Sequence, residues 1–215
     1  MQIDSSAVLW SAPERERADR PLLVLLHGYG SHEGDLFSLS PGLPLGPVIA
    51  SLRAPLTAGP GNSWFPLTFE TPIAEHGTNA DAAAKAVLDW LDTTEHSSVG
   101  LLGFSQGGAV ALQLLRLAPT RFDYAVMLSG FVVGGAHAGD ASLAESKPQV
   151  FWGRGTLDQV IPPFAIEATE AWLPGHSTLT AHIYEGVAHG ISNAELRDLS
   201  AFISAQLRQL PLPPA

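Results

Sequence analysis

A chain of 215 residues with 46% hydrophobic and 15% charged residues has the length and composition to bury a sizeable core, which excludes an intrinsically disordered chain. Twenty-one acidic residues against 11 basic ones give a formal charge of −10, which argues against nucleic acid or an anionic membrane surface as partner. The absence of cysteine excludes disulfide and thiolate chemistry.

The first residues, MQIDSSAVLW, lack the basic start and apolar core of a secretory signal. No apolar run approaches the eighteen or so residues of a membrane span, so a cytoplasmic location is expected. Residues 5–12 read as an edge strand. PLLVLLHG (21–28) is a near-continuous apolar run ending in glycine, as a strand buried on both faces would be. The runs at 46–55, 97–105, 124–130, 148–155 and 178–186 have the same character.

Helical patterns fall between these strands. One covers 79–96, with Ala83, Val87, Trp90 and Leu91 on one face and Asn79 as a cap. A second covers 105–118. A third, 162–174, opens on proline, which suits a first helical turn. The fourth, 192–210, opens on Ser192 and Glu195 as a capping box. Strands alternating with helices predict a mostly parallel sheet with helices on both faces. A single domain over residues 1–210 is expected, followed by a frayed tail, PLPPA, at 211–215. Residues 54–78, rich in Pro, Gly and Thr, form the longest irregular stretch, and such loops often carry function.

The join at GFSQGG is the most informative point. Ser105 stands in a Gly-x-Ser-x-Gly pattern between a predicted strand and a predicted helix. Bulk at positions 103 and 107 would crowd such a sharp turn, and glycine removes it. The serine then projects above the carboxyl ends of the strands, where open sheets bind ligands.

A serine hydroxyl needs a base, and the base needs an orienting acid. With a nucleophile of this type the acid and the histidine follow in that order, each after a later strand. Of the eight histidines, His27, His32, His76 and His96 come too early, His137 and His176 sit in Gly-rich loops, and His182 lies within a strand pattern. His189, in EGVAHGIS after the last strand, fits the base. Asp158 is the acid in the loop after PQVFWG; Asp123 and Asp140 follow the wrong strand. Two backbone N–H donors should face the developing oxyanion. Gln106 follows the nucleophile, and Tyr29 stands between Gly28 and Gly30 in the loop after the first buried strand.

The segments LLHGYGSHEGDL, SLRAP, NSWFPL, GFSQGG, LSGF, GRGTLDQVIP and AHGIS, spread in order from residue 25 to 192, resemble the phospholipase/carboxylesterase family of α/β-hydrolases, which includes acyl-protein thioesterases. Arg154 departs from the resemblance, standing where members often carry histidine. The resemblance implies the α/β-hydrolase fold, with about seven strands and minimal or no cap domain. It implies hydrolysis of small carboxylic esters or thioesters through an acyl-enzyme, with no metal or cofactor. It supports Ser105, Asp158 and His189 as catalytic residues and Tyr29 and Gln106 as oxyanion donors. Trp64, Phe65, Phe131, Val160 and Ile161 are the apolar candidates for contact with substrate.

Three functions are open at this point: a carboxylesterase for small ester substrates, a thioesterase or lysophospholipase, and a binding protein on a hydrolase scaffold without catalysis. The expected partner is a small-molecule ester, with no nucleic acid and no stable membrane association. The oligomeric state is open, with a homodimer among the options.

Overall fold

The computed structural model describes residues 1–18, 20–67 and 77–210; His76 and the tail at 211–215 lie outside the described residues. A seven-stranded sheet is built from β1 (Leu9–Trp10), β2 (Pro21–Leu26), β3 (Val48–Leu52), β6 (Ser98–Phe104), β7 (Tyr124–Leu128), β8 (Gln149–Gly155) and β9 (Thr178–Tyr184). The strand order is β1-β3-β2-β6-β7-β8-β9. Only β1 runs antiparallel, as the edge partner of β3. Register brings Leu26 opposite Gly103 and Leu128 opposite Phe104, so the carboxyl ends of β2, β6 and β7 form one rim.

Alternation along each strand sorts its side chains between two helical layers. Leu22, Val24 and Leu26 pack with Ala83 and Val87 of α2 (Gly77–Leu91) and Val110 and Leu114 of α3 (Gln106–Leu117). Leu143 of α4 (Gly139–Ser146) and Ala165 and Leu173 of α5 (Pro163–His176) complete that layer. Leu23 and Leu25 point the other way, onto Leu36 of the short α1 (Gly34–Phe37) and Leu199, Phe202 and Ile203 of α6 (Asn193–Leu207). Apolar cover on both faces explains why the central strands read as unbroken apolar runs. This is the α/β-hydrolase architecture. Among the described residues no helix is long and apolar enough to cross a membrane.

Several boundaries differ from the sequence reading. Helix α2 contains Asn79 within it and stops at Leu91, where the hydroxyls of Thr93 and Thr94 donate to the Trp90 and Leu91 carbonyls at 2.7 and 3.0 Å. Helix α5 continues through Pro174 to His176, and the Ser177 hydroxyl beyond its end donates to the Leu173 carbonyl at 2.7 Å. Within the loop read as irregular lies a hairpin of β4 (Leu56–Ala58) and β5 (Gly61–Ser63). Helix α4, with Leu143 as its one buried residue, carries too little apolar pattern to be recognised in the sequence. At the start of α6 the Ser192 hydroxyl accepts from the Glu195 N–H at 3.1 Å. The other half of the expected capping box is not formed: the Glu195 carboxyl turns inward, and neither oxygen has a hydrogen-bond partner among the described residues.

Candidate active site

Ser105 lies between the last residue of β6 and the first of α3, with φ +52° and ψ −116°. A non-glycine residue with positive φ costs on the order of 1–3 kcal/mol, so the surroundings must hold it there. Its N–H donates to the Leu128 carbonyl at 2.8 Å, and its carbonyl accepts from the Ala109 N–H at 3.1 Å. The flanking glycines answer two different obstructions. A Cβ at 103 would overlap the Gly107 carbonyl, whereas one at 107 would overlap the Leu26 carbonyl at the end of β2. The second overlap explains why α3 can begin so close to the rim.

The loops after β8 and β9 are joined to each other. The Thr156 and Leu157 N–H groups donate to the Tyr184 and Val187 carbonyls at 3.0 and 2.9 Å, and the Gly186 N–H donates to the Thr156 hydroxyl at 2.9 Å. Within this frame His189 Nδ1 lies 2.8 Å from Asp158 Oδ2. A carboxylate can only accept, so Nδ1 carries the proton and Nε2 is left as an acceptor. The other oxygen, Asp158 Oδ1, accepts from the Val160 and Ile161 N–H groups at 2.9 and 3.2 Å. Burial opposes ionisation of Asp158. The hydrogen bonds from His189, Ile161 and Val160 together outweigh it and hold the carboxyl below its ordinary range. The His189 ring packs 4.8 Å from the ring of Phe104, the residue before Ser105.

The loop after β2 passes beside the serine: a Cβ on Gly28 would come 3.6 Å from Ser105 Cβ. Tyr29 follows, half-exposed, and Gly30 turns the chain with φ +73°. His27, which precedes Gly28, is fully buried. The Ala54 N–H donates to His27 Nε2 at 3.1 Å, so the His27 proton sits on Nδ1, which donates to the Gly28 carbonyl at 2.7 Å. Burial is the main reason that His27 titrates below the ordinary histidine value. His27 is thereby a strut of this loop.

The rival acids are engaged elsewhere. Asp140 receives two 2.8 Å bonds from the buried Arg116, which also donates to the Val133 and Gly135 carbonyls at 2.7 and 2.5 Å and so ties the loop after β7 to α3. Asp123 accepts from the Val99 N–H at 2.9 Å, at the opposite end of β6. Arg154 pairs with Glu170 of α5 at 2.8 Å. Among the described residues no group of three or more His, Asp or Glu side chains could hold a metal ion.

The apolar candidates divide. Trp64, Phe65, Phe131 and Ile161 belong to the core, with Trp64 and Phe65 wholly shielded from solvent. Val160 is exposed beside Asp158, and the exposed Leu157 and Phe164 flank the same loop. The sequence reading missed the side chain of Gln106. It is fully buried, accepts from the Trp64 N–H at 2.9 Å and donates to the Phe65 carbonyl at 2.7 Å. No local signal marks such a partner about forty residues upstream.

The family model described as phospholipase/carboxylesterase matches residues 11–207. Carboxylesterase SOBER1 of Arabidopsis thaliana is 29% identical over 79% of this chain and 77% of its own length. Acyl-protein thioesterase 1 of Candida albicans is 27% identical over 89% of this chain and 94% of its own length. Among solved structures, esterase PE8 superposes with a TM-score of 0.76 at 26% identity, covering 95% of this chain and 99% of that one. The SOBER1 structure gives 0.71 at 25% identity, over 87% and 99%. With the family model spanning nearly its whole length, the chain belongs to the phospholipase/carboxylesterase family and is a hydrolase acting on ester bonds.

Proposed function

We propose that this hydrolase is a serine carboxylesterase for small acyl esters, with Ser105 as nucleophile, His189 as base and Asp158 as orienting acid. The observation that carries the reading is the 2.8 Å bond from His189 Nδ1 to Asp158, in a loop pair beside the strained turn of Ser105. Asp158 keeps the proton on Nδ1, so Nε2 is free to take the Ser105 proton as Oγ attacks the ester carbonyl. The carbonyl oxygen gains negative charge and is received by the backbone N–H groups of Tyr29 and Gln106. The Gln106 N–H belongs to the first turn of α3, where backbone donors have no partner within the helix and the helix dipole favours negative charge. His189 returns the proton to the departing alcohol, leaving an acyl group on Ser105. A water then repeats the sequence in reverse and releases the acid.

The exposed Tyr29, Leu157 and Val160 supply apolar surface around the site, which suits uncharged acyl or alcohol groups. The formal charge of −10 disfavours polyanionic substrates. A second reading, thioester hydrolysis by the same steps, is supported by the relatives named acyl-protein thioesterase 1.

A fluorophosphonate probe should label Ser105, as located by peptide mass. Ser105→Ala should abolish labelling and lower kcat by about 10⁴-fold or more, with Tm unchanged. Activity within tenfold of wild type would refute the nucleophile. A scaffold without catalysis would not label at all. A chain-length series of p-nitrophenyl esters, run beside acyl-CoA and lysophospholipid, separates the ester reading from the thioester one.

A further inference from the structure

The two oxyanion donors come from segments far apart in sequence, the loop after β2 and the start of α3. A third segment, residues 62–65, bonds to both. On one side the Gln106 amide grips its backbone, with Oε1 accepting from the Trp64 N–H at 2.9 Å and Nε2 donating to the Phe65 carbonyl at 2.7 Å. On the other, the Trp64 indole N–H donates to the His27 carbonyl at 2.8 Å. Beyond Tyr29, the Gly30 N–H donates to the Asn62 carbonyl at 2.8 Å, and the Asn62 N–H donates to the Ser31 carbonyl at 2.7 Å. Residues 62–65 therefore hold the Tyr29 loop on both sides of Tyr29 and are themselves held by the side chain of Gln106. Gln106, Trp64 and His27 are all fully buried, so water does not compete for these bonds.

We propose that the Gln106 amide and the Trp64 indole are positioning groups that close a hydrogen-bonded circuit between the two oxyanion donors and so fix the spacing at which they receive the charged oxygen. The proposal rests on the reading of Ser105 as nucleophile given above. It assigns Gln106 two duties: the backbone N–H meets the substrate, and the side chain sets where the opposing donor stands. The side-chain duty needs one acceptor and one donor at the tip of a side chain of this length. An amide offers both. A thioether of similar length fills the space and offers neither bond. Displacement of a donor by about 1 Å is enough to cost roughly 100-fold in rate.

The test uses Gln106→Met, which keeps bulk and deletes both amide bonds, and Trp64→Phe, which keeps an aromatic ring and deletes the indole bond to His27 while the Asn62 bonds remain. Both should lower kcat on p-nitrophenyl acetate by about 10- to 100-fold with KM within about twofold. Both should also weaken a boronic acid inhibitor, which mimics the tetrahedral intermediate, by a similar factor. The double variant should lose less than the product of the two single losses, because both substitutions loosen the same circuit. A merely structural role would lower Tm and leave kcat and inhibitor affinity at 25 °C alone. Should one variant fail to fold, the other carries the same readout. Wild-type labelling at Ser105 together with kcat within threefold of wild type in a folded variant overturns the circuit alone. Labelling at a residue other than Ser105 overturns the nucleophile, and the circuit with it.

Discussion

Asp158, Asp140 and Asp123 each accept two or more hydrogen bonds or stand beside a backbone donor, yet their partners give them different work. Asp158 meets an imidazole and two backbone N–H groups. Asp140 meets the Arg116 guanidinium and the His137 N–H. Asp158→Asn should therefore preserve substrate binding and lower kcat by up to about 10⁴-fold, through loss of the correct histidine tautomer. Asp140→Asn should leave kcat near wild type and lower Tm, because it weakens the tether of the loop after β7. Steady-state kinetics and thermal melts on the two variants decide the matter; the reverse pattern would show the acid to be misassigned. Chain order alone distinguished these aspartates in the sequence, since each acid follows a different strand. The Gln106 amide and the Arg116 tether were not legible in the same way. Their partners are backbone groups, which look alike at every position.

Helix α6 shows what patterning reveals and what it conceals. Leu199, Phe202 and Ile203 recur at helical spacing, and the helix forms where that spacing puts it. The Ser–Glu signature at its start gave the cap but misled about the carboxyl. Glu195 is buried against Gly153 of β8, at a point where a Cβ would strike its Oε1. Burial, with a smaller push from Asp198, raises its pKa to about 7. The protonated form is thus favoured in the folded state. The stability it contributes is complete below the unfolded value of about 4.5 and is lost as pH rises through about 7. The loss should be on the order of 3 kcal/mol for a shift of this size. Glu195→Gln should remove it, so that the variant is the more stable protein at pH 8 and the difference vanishes near pH 4. Denaturant melts across that range measure this directly, and parallel pH curves for the two proteins would contradict the assignment. The hairpin β4–β5 and helix α4 escaped notice for a simpler reason: three-residue strands and a helix with one buried side chain carry too little periodicity to read.

At the scale of the molecule, the alternation of strands and helices was the most legible feature, because it depends on many residues at once and tolerates errors at any boundary. The parallel order β2-β6-β7-β8-β9 is what gathers the candidate site, since every turn it uses leaves the same rim of the sheet. Those turns begin at residue 27 and end at residue 189, and no two of the three proposed catalytic residues share a strand–helix unit. Contacts of such long sequence separation carry a large loop-closure entropy, and we expect them to form late in folding. Under the proposed triad, catalytic competence is then an all-or-none report on the finished sheet. During refolding from denaturant, esterase activity should return with the slowest phase of tryptophan fluorescence and never ahead of it. Under the proposed triad, a partly folded chain that has joined β2, β6 and β7 would hold the serine at its turn, yet it would stay inert until the docking of β9 brought the imidazole to it.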